Sequence, residues 1–190
     1  MKKLFIISGP NGAGKTTASY TILPEILNCK EFVNADEIAR GLSPFQPEKV
    51  SFESGRIMLK RIDELLEEEE TFAFETTLAS RTFVKFIERA QNKKYHCTLL
   101  FFWLNSEELA IRRVKTRVEE GGHNIPTNVI KRRYQRGLSN FFNLYKEKVD
   151  NWMLIDNSGA PYTVIAKKEG NKIKLVKSDL WNQLKDKYEE

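Results

Sequence analysis

The sequence predicts a three-layer α/β fold with a mostly parallel central sheet, and three observations support this fold class. Strand-like and helix-like stretches alternate along the whole chain. The longest strand-like run, residues 96–104, is apolar without alternation, which is typical of a central parallel strand covered on both faces. A Gly-x-x-x-x-Gly-Lys-Thr pattern at 9–16 lies between an apolar run, 4–7, and a helix-compatible stretch, 17–27. This is the context of a phosphate-binding P-loop, so we expect one P-loop NTPase-type domain over residues 1–190.

Apolar periodicity and helix-breaking residues predict the remaining elements. In chain order they are a strand at 31–35, a loop at 41–47 that holds two prolines and a glycine, a helix at 48–68, a strand at 71–74, a helix at 82–91, the strand at 96–104, helices at 106–120 and 127–149, a strand at 151–156, a hairpin at 161–166 and 172–177, and a helix from Asp179. The hairpin and last helix form a C-terminal part at about 160–190.

Composition narrows the function classes. The net charge of +5 suits an enzyme for phosphorylated, anionic small molecules, although nucleic-acid binding would need the same sign. Cys29 and Cys97 are isolated, and two unpaired thiols suit a reducing cytoplasm. The apolar start is too short for a secretory signal, and no stretch approaches the length of a membrane span. We therefore expect a cytoplasmic protein with no membrane partner, and nucleic acid is not the ligand we expect.

The P-loop pattern predicts the nucleotide-binding residues. Glycines let backbone N–H groups turn inward around a phosphate, and the N-terminus of the following helix adds positive potential. Lys15 supplies a charge for the β- and γ-phosphates of ATP, and Thr16 supplies a hydroxyl for Mg²⁺. The residues expected to bind the nucleotide are Gly9, Asn11, Gly12, Ala13, Gly14, Lys15, Thr16 and Thr17.

Two carboxylates follow predicted strands and should share the P-loop edge of the sheet. Asp36 could accept a proton from an attacking hydroxyl, or it could cap the helical segment 37–40. Glu75 could bind substrate hydroxyls, or it could act on magnesium-bound water as a Walker-B acid does. Thr76 and Thr77 could donate hydroxyls beside it.

Arginines on two consecutive helices predict a lid at about 106–136. Arg113 and Arg117 are four residues apart and therefore share a helix face, and Arg132 and Arg136 repeat that spacing with Arg133 beside them. Closure of such a lid would bring guanidinium groups to the transferring phosphoryl group. The alternative is a set of exposed arginines paired with acids.

The break between these helices is Gly121-Gly122-His123, which predicts a hinge. His123 could donate to phosphate or could be an ordinary loop residue.

Several nucleotide-hydrolase classes lack their signatures here. A GTPase should carry Asn-Lys-x-Asp, but the nearest string, at 92–95, has no acid. A transport ATPase would need a larger domain, and a mechanical ATPase would show two adjacent acids where this chain has Glu75-Thr76. A compact phosphotransferase with a small-molecule acceptor remains. A kinase for a nucleoside or a nucleic-acid 5′-hydroxyl, and an ATP-binding regulatory module without transfer, stay open as alternatives.

Four motifs in order resemble the zeta-toxin-like branch of P-loop kinases over about residues 4–158. They are residues 9–17, 33–39, 74–77 and 117–126, the last followed by Arg132-Arg133-Tyr134. The resemblance implies transfer of the ATP γ-phosphate to a UDP-N-acetylglucosamine-type sugar. It also implies a possible antitoxin partner.

The resemblance also implies roles by position. Lys15 and Thr16 match phosphate and Mg²⁺ residues, Asp36 matches the catalytic base, and Arg113 matches a lid arginine, with Arg117 beside it in the predicted catalytic set. The expected substrate-binding residues are Asp36, Glu75, Thr77, Arg81 (a looser match) and His123. His123 stands where a second lid arginine is expected, and segment 55–61 offers no acid for the sugar. The kinase mechanism is therefore implied more directly than the sugar specificity.

Overall fold

The structure is a computed structural model, and it describes residues 1–122 and 124–190. A seven-stranded sheet has the order β2-β3-β1-β4-β5-β6-β7. The strands from β1 to β5 are parallel, while β6 and β7 add antiparallel at one edge. Their bounds are β1 Lys3–Ser8, β2 Glu31–Val33, β3 Phe72–Thr76, β4 His96–Trp103, β5 Asn151–Asp156, β6 Thr163–Glu169 and β7 Lys172–Leu175.

The helices are α1 Lys15–Thr21, α2 Ala35–Leu42, α3 Ser51–Glu67, α4 Phe83–Asn92, α5 Glu107–Glu119, α6 Thr127–Asn140 and α7 Ser178–Tyr188. Helices α1 to α6 lie in the connections between the parallel strands, as crossover connections require, and α7 follows β7. The predicted α/β fold with a mostly parallel sheet is confirmed, and so are the C-terminal hairpin and helix. None of the described helices is both long and apolar enough to cross a membrane.

Several predicted element boundaries are wrong. The strand predicted at 31–35 ends at Val33, and the helix predicted at 48–68 is preceded by a 3₁₀-helix at Pro47–Val50 and begins at Ser51. The first helix begins at Lys15 and becomes a π-helix at Ile22–Ile26, where Pro24 has no N–H to donate. The loop predicted at 41–47 begins later, because α2 continues to Leu42. The helix predicted at 127–149 ends at Asn140 and passes into a π-helix at Phe141–Tyr145.

The core continues past the parallel strands to the C-terminal helix. Phe141, Phe142 and Tyr145 of the second π-helix are buried. Trp152 on β5 stacks on Trp181 of α7 with ring centroids 5.3 Å apart and planes 6° apart. Burial of these large rings provides much apolar area, so α7 is part of the fold and not an appendage.

Candidate active site

The phosphate loop turns sharply between β1 and α1. Gly9 has a φ of +136°, and a Cβ there would lie 2.1 Å from the carbonyl oxygen of Phe102 on the neighbouring strand β4. Gly14 stands before α1 with a φ of 75°. The side-chain amide of Asn157, which follows β5, donates to the carbonyl of Ala13 at 2.7 Å. The loop is therefore held against two neighbouring strands in a conformation that requires glycine.

Lys15, Thr16 and Glu75 form one connected group. The Lys15 ammonium donates to the carbonyl of Pro10 at 2.9 Å and lies 3.5 Å from Glu75 Oε1. The Thr16 hydroxyl donates to Glu75 Oε2 at 2.7 Å. Glu75 is near the end of β3, beside β1, so the parallel pairing brings it to the P-loop. Its position next to Thr16 favours the Walker-B-like interpretation over direct binding of substrate hydroxyls.

Asn34 connects this group to α2. Its amide nitrogen donates to Glu75 Oε2 at 3.0 Å and to Thr16 Oγ1 at 3.2 Å. Its amide oxygen accepts from the backbone N–H of Asp36 at 2.8 Å and so caps α2. The interpretation of Asp36 as a helix cap is therefore wrong. Sequence reasoning gave Asn34 no role, although an asparagine followed by two acids in the next turn is a usual helix-start signal.

Asp36 is free of the capping role and is part-exposed in the first turn of α2. Its Oδ2 lies 4.0 Å from Arg117 Nη1, and its side chain is 44% exposed. A carboxylate in this state is accessible to an incoming hydroxyl.

Two cavities meet at these residues. The larger has a volume of about 570 Å³ and is lined by P-loop residues, Arg113 and Arg117. The smaller has a volume of about 180 Å³ and includes Thr77, Met58, Phe83 and Arg133 in its wall. The residues that line both cavities are Asn11, Lys15, Asp36 and Glu75.

A larger cleft of about 870 Å³ lies beside the edge strand β2. Its lining includes Tyr20, Phe32 and Ile57 but not Lys15, Asp36 or Glu75. The cleft contains neither the P-loop lysine nor the two carboxylates that lie beside the P-loop. Size alone therefore does not identify the active site.

Arg113 and Arg117 line the larger cavity together, as their spacing predicts, but the second predicted pair is arranged differently. Arg113 donates to the carbonyls of Asn157 and Ser158 at 2.9 and 3.1 Å, so its guanidinium is fixed to the segment after β5. On α6, Arg133 faces the site, whereas Arg132 and Arg136 are exposed. The reason is packing of α6.

The buried face of α6 determines which arginine turns inward. Tyr134 donates to the carbonyl of Leu104 at 2.6 Å, and Gly137 packs so closely on Thr77 that a Cβ would lie 2.6 Å from its carbonyl oxygen. Arg133 lies three residues after buried Ile130 and four before Gly137, so it shares this face. Burial lowers the pKa of the Arg133 guanidinium, and the nearby charge of Asp36 partly opposes this effect.

The remaining predicted site residues divide into three groups. Gly12, Gly14 and Thr17 line the larger cavity and Thr77 lines the smaller one, and their binding roles stay predictions. Arg81 is exposed before α4 and lines neither cavity, because residues 80–82 face solvent, so the structure does not bring it to the site. His123 lies outside the described residues.

Comparisons with known proteins show the family of the chain. A family model described as Zeta toxin matches residues 1–165. An uncharacterized protein of Haemophilus influenzae is 25% identical over 132 residues, which is 70% of this chain and 92% of that protein. The motif resemblance to this family is thus confirmed.

Two solved structures share the fold. The AvrRxo1-ORF1:-ORF2 structure with ATP has a TM-score of 0.73 at 17% identity, covering 97% of this chain and 63% of that chain. A structure of the PezAT chromosomal toxin–antitoxin system of Streptococcus pneumoniae has a TM-score of 0.66 at 13% identity, covering 98% and 85%. The present chain thus spans less than two thirds of the AvrRxo1 chain it matches.

Proposed function

The chain belongs to the zeta toxin family, and we propose that it transfers the γ-phosphate of ATP to a hydroxyl group of a small molecule. The observation that carries this proposal is the wall shared by the two cavities. A nucleotide in the larger cavity and an acceptor in the smaller one would meet at Lys15, Asp36 and Glu75. A shared wall of this kind suits direct in-line transfer between two bound molecules.

In this proposal each group of residues has its own role, set by its position in the site. Backbone N–H groups of the P-loop and Lys15 would hold the phosphates, and Arg113 and Arg117 would contribute positive charge from the other side of the larger cavity. Asp36 would accept the acceptor's hydroxyl proton or hold that hydroxyl in line. The complex of the fold relative AvrRxo1-ORF1:-ORF2 with ATP supports ATP as the nucleotide.

The residues also fit Mg²⁺. The Thr16 hydroxyl and the Glu75 carboxylate are adjacent hard oxygen donors beside the P-loop, as this ion prefers. Among the described residues no cluster of three His, Cys, Asp or Glu side chains forms a separate metal site. Bound Mg²⁺ would neutralise charge on the β- and γ-phosphates, and Thr16 and Glu75 would hold it with the nucleotide.

A UDP-amino-sugar such as UDP-N-acetylglucosamine is the first acceptor to test, on family grounds. The PezAT structure comes from a toxin–antitoxin system, which supports an antitoxin as a partner of this chain also.

The test is incubation with Mg²⁺ and ATP and a panel of nucleotide sugars, sugars, hydroxy acids, nucleosides and short oligonucleotides, read by product mass. We expect one small-molecule acceptor to gain a phosphate group. We expect Asp36→Ala to abolish this transfer while ATP still binds. The matched control is Asp179→Ala, an exposed acid in the first turn of α7. Product only on oligonucleotide or nucleoside hydroxyls, or ATP binding without any product, would reject the proposal.

A further inference from the structure

Strand β7 is a free edge of the sheet, and it lies beyond residue 165, where the family match ends. It pairs with β6 on one side only. All of its residues, Lys172–Leu175, are exposed. A strand that is paired on one side presents unpaired backbone N–H and C=O groups on the other. The backbone of β7 therefore has room and hydrogen-bonding groups for a further strand.

The two faces of this edge differ in chemistry, because side chains alternate along a strand. Lys172 and Lys174 share one face, and the pairing with β6 places Lys167 directly opposite Lys174 there. Ile173 and Leu175 share the other face and are 57% and 39% exposed. Along β7, one face is thus basic and the other is apolar.

The positive charge of this region is not balanced within the part of the chain that the structure describes. Residues 163–177 hold five lysines and one glutamate, a net charge of +4 in a chain whose net charge is +5. The glutamate, Glu169, forms an ion pair with Lys167 at 2.7 Å. Among the described residues, no acid lies within ion-pair distance of Lys172 or Lys174. Two cations at the free edge therefore lack an acidic partner.

The opposite edge of the sheet, β2, is arranged differently. Its one acidic residue, Glu31, forms an ion pair with Arg61 of α3 at 3.1 Å. Residues of α1 and α3, including Tyr20 and Ile57, line the cleft beside it. The charge on β2 itself is thus balanced, whereas the charge on β7 is not.

Lysines on an edge strand also keep copies of a protein from pairing with each other. A second copy paired with β7 would place its own lysines beside Lys172 and Lys174, and like charges opposite each other are unfavourable. This role explains the lysines. It does not explain the exposed Ile173 and Leu175, since apolar side chains at an edge favour pairing. A strand with acids on one face and apolar side chains on the other would suit both faces of the edge.

We propose that β7 is a docking edge for an extended acidic segment of a partner protein, which adds to the seven-stranded sheet as an eighth strand. The segment alternates acidic and apolar residues. Its acids lie beside Lys172 and Lys174, and its apolar residues lie beside Ile173 and Leu175. Backbone hydrogen bonds supply affinity, and the alternating side chains supply specificity. Docking of this kind requires no phosphate transfer and goes beyond the proposed function.

The probe for this edge is a capped peptide of about eight residues, within the usual range of strand lengths, that alternates glutamate and valine. One control peptide alternates lysine and valine, and a second holds the glutamates and the valines in two separate blocks. Chemical-shift titration of the isotope-labelled full chain detects weak binding residue by residue. We expect the alternating acidic peptide to shift the amide signals of residues 172–177 and to slow their hydrogen exchange. Both control peptides should bind at least roughly 10-fold more weakly.

Charge reversal assigns the binding to two side chains. The double variant Lys172→Glu, Lys174→Glu should bind the acidic peptide at least roughly 10-fold more weakly and should bind the lysine peptide instead. This gain of binding also shows that the variant is folded. The control variant Lys85→Glu, Lys115→Glu reverses the same charge at exposed positions on α4 and α5. Its affinity for the acidic peptide should stay within about 2-fold of the wild type.

Three results would overturn the inference: equal binding of the alternating and block peptides, an unchanged preference of the double variant, or no shift of the β7 signals at millimolar acidic peptide. Two other occupants would also overturn it. A short oligonucleotide that shifts the β7 signals when the acidic peptide does not would assign the lysines to nucleic acid. Sedimentation that shows a dimer lost on Lys172→Glu, Lys174→Glu would assign the edge to a second copy.

Discussion

Asn34 donates a hydrogen bond to Glu75 at 3.0 Å while its other amide atom caps α2, the helix that carries Asp36. One buried side chain thus connects the Glu75 carboxylate beside the P-loop to the helix that carries the Asp36 carboxylate. Both ends of the amide are used, so a replacement can keep one connection and lose the other.

Two substitutions of Asn34 should distinguish its contribution to stability from its contribution to the rate of phosphate transfer. Asn34→Ser keeps a good cap but cannot reach Glu75 as the amide does, so we expect nearly unchanged stability and reduced phosphate transfer. Asn34→Ala loses both connections and should lower the free energy of unfolding by about 1 kcal/mol. Urea denaturation and initial transfer rates would measure these effects. Equal activity of the serine variant and the wild type would show that the Glu75 contact has no catalytic value.

Substitution of Glu75 should change the magnesium requirement. Glu75→Gln preserves shape but removes the charge beside Thr16, so we expect the Mg²⁺ concentration for half-maximal transfer to rise roughly 10-fold or more. The measurement is a Mg²⁺ titration at saturating ATP. Glu25→Gln, at an exposed acid in the first π-helix, is the control and should leave the titration unchanged. An unaltered requirement in Glu75→Gln would remove this residue from the proposed metal site.

Two glycines should respond to alanine in opposite directions. Gly9→Ala forces a Cβ against the Phe102 carbonyl at a positive φ, so we expect destabilisation by roughly 2–4 kcal/mol and loss of nucleotide binding. Gly55 lies inside α3 with nothing within 4 Å of an added Cβ. Gly55→Ala should stabilise the protein by about 0.5–1 kcal/mol. Chemical denaturation measures both, and a neutral Gly9→Ala would contradict the packing of the loop on β4.

Stability should fall at alkaline pH. Burial raises the pKa of Tyr95 to about 12, with nearby glutamates adding to it, and burial raises the pKa of Tyr145 to about 12 and of Cys29 to about 11. The unfolded chain ionises these groups near their ordinary values, so it binds fewer protons than the folded chain over this range. The stabilisation is complete below about pH 9 and is lost as pH rises through these raised values.

Thermal melting from pH 7 to 12 checks this expectation, and Tyr95→Phe tests the contribution of one group. The variant loses the hydrogen bond from the Tyr95 hydroxyl to the carbonyl of Glu70 at 2.8 Å, so it should be about 1 kcal/mol less stable at pH 7. Its stability should fall less steeply than that of the wild type above pH 10. A parallel decline in both proteins would exclude Tyr95 as a source of the pH dependence.

The sequence was sufficient for the fold and for one edge of the site, because parallel strands place their carboxyl ends together. This rule put Asp36 and Glu75 near the P-loop, and both line the cavity that includes it. The catalytic roles of these residues remain predictions. On α6, the spacing of the arginines did not predict which of them faces the site. Spacing identifies arginines that share a helix face, but it does not show which face packs on the rest of the protein. Contacts of Tyr134 and Gly137 with the segments that follow β4 and β3 turn Arg133 inward.

The hydrogen bonds of the Asn34 amide could not be predicted from the sequence either. A single amide that caps a helix and binds a carboxylate 41 positions later depends on β2 and β3 being neighbours, which no local pattern encodes. The second π-helix also depends on tertiary packing. A widened turn at Phe141–Tyr145 is stabilised by the burial of its aromatic rings and not by local preference.

The stacking of Trp152 on Trp181 has a consequence for any shortened form of the protein. The family match ends at residue 165, within β6 and before β7 and α7. A recombinant polypeptide cut at that limit would uncover the face of Trp152 that stacks on Trp181 and would remove the second half of β6. Such a fragment should expose an apolar surface and should aggregate on expression. We therefore expect the cooperative folding unit to extend beyond residue 165 and to include α7.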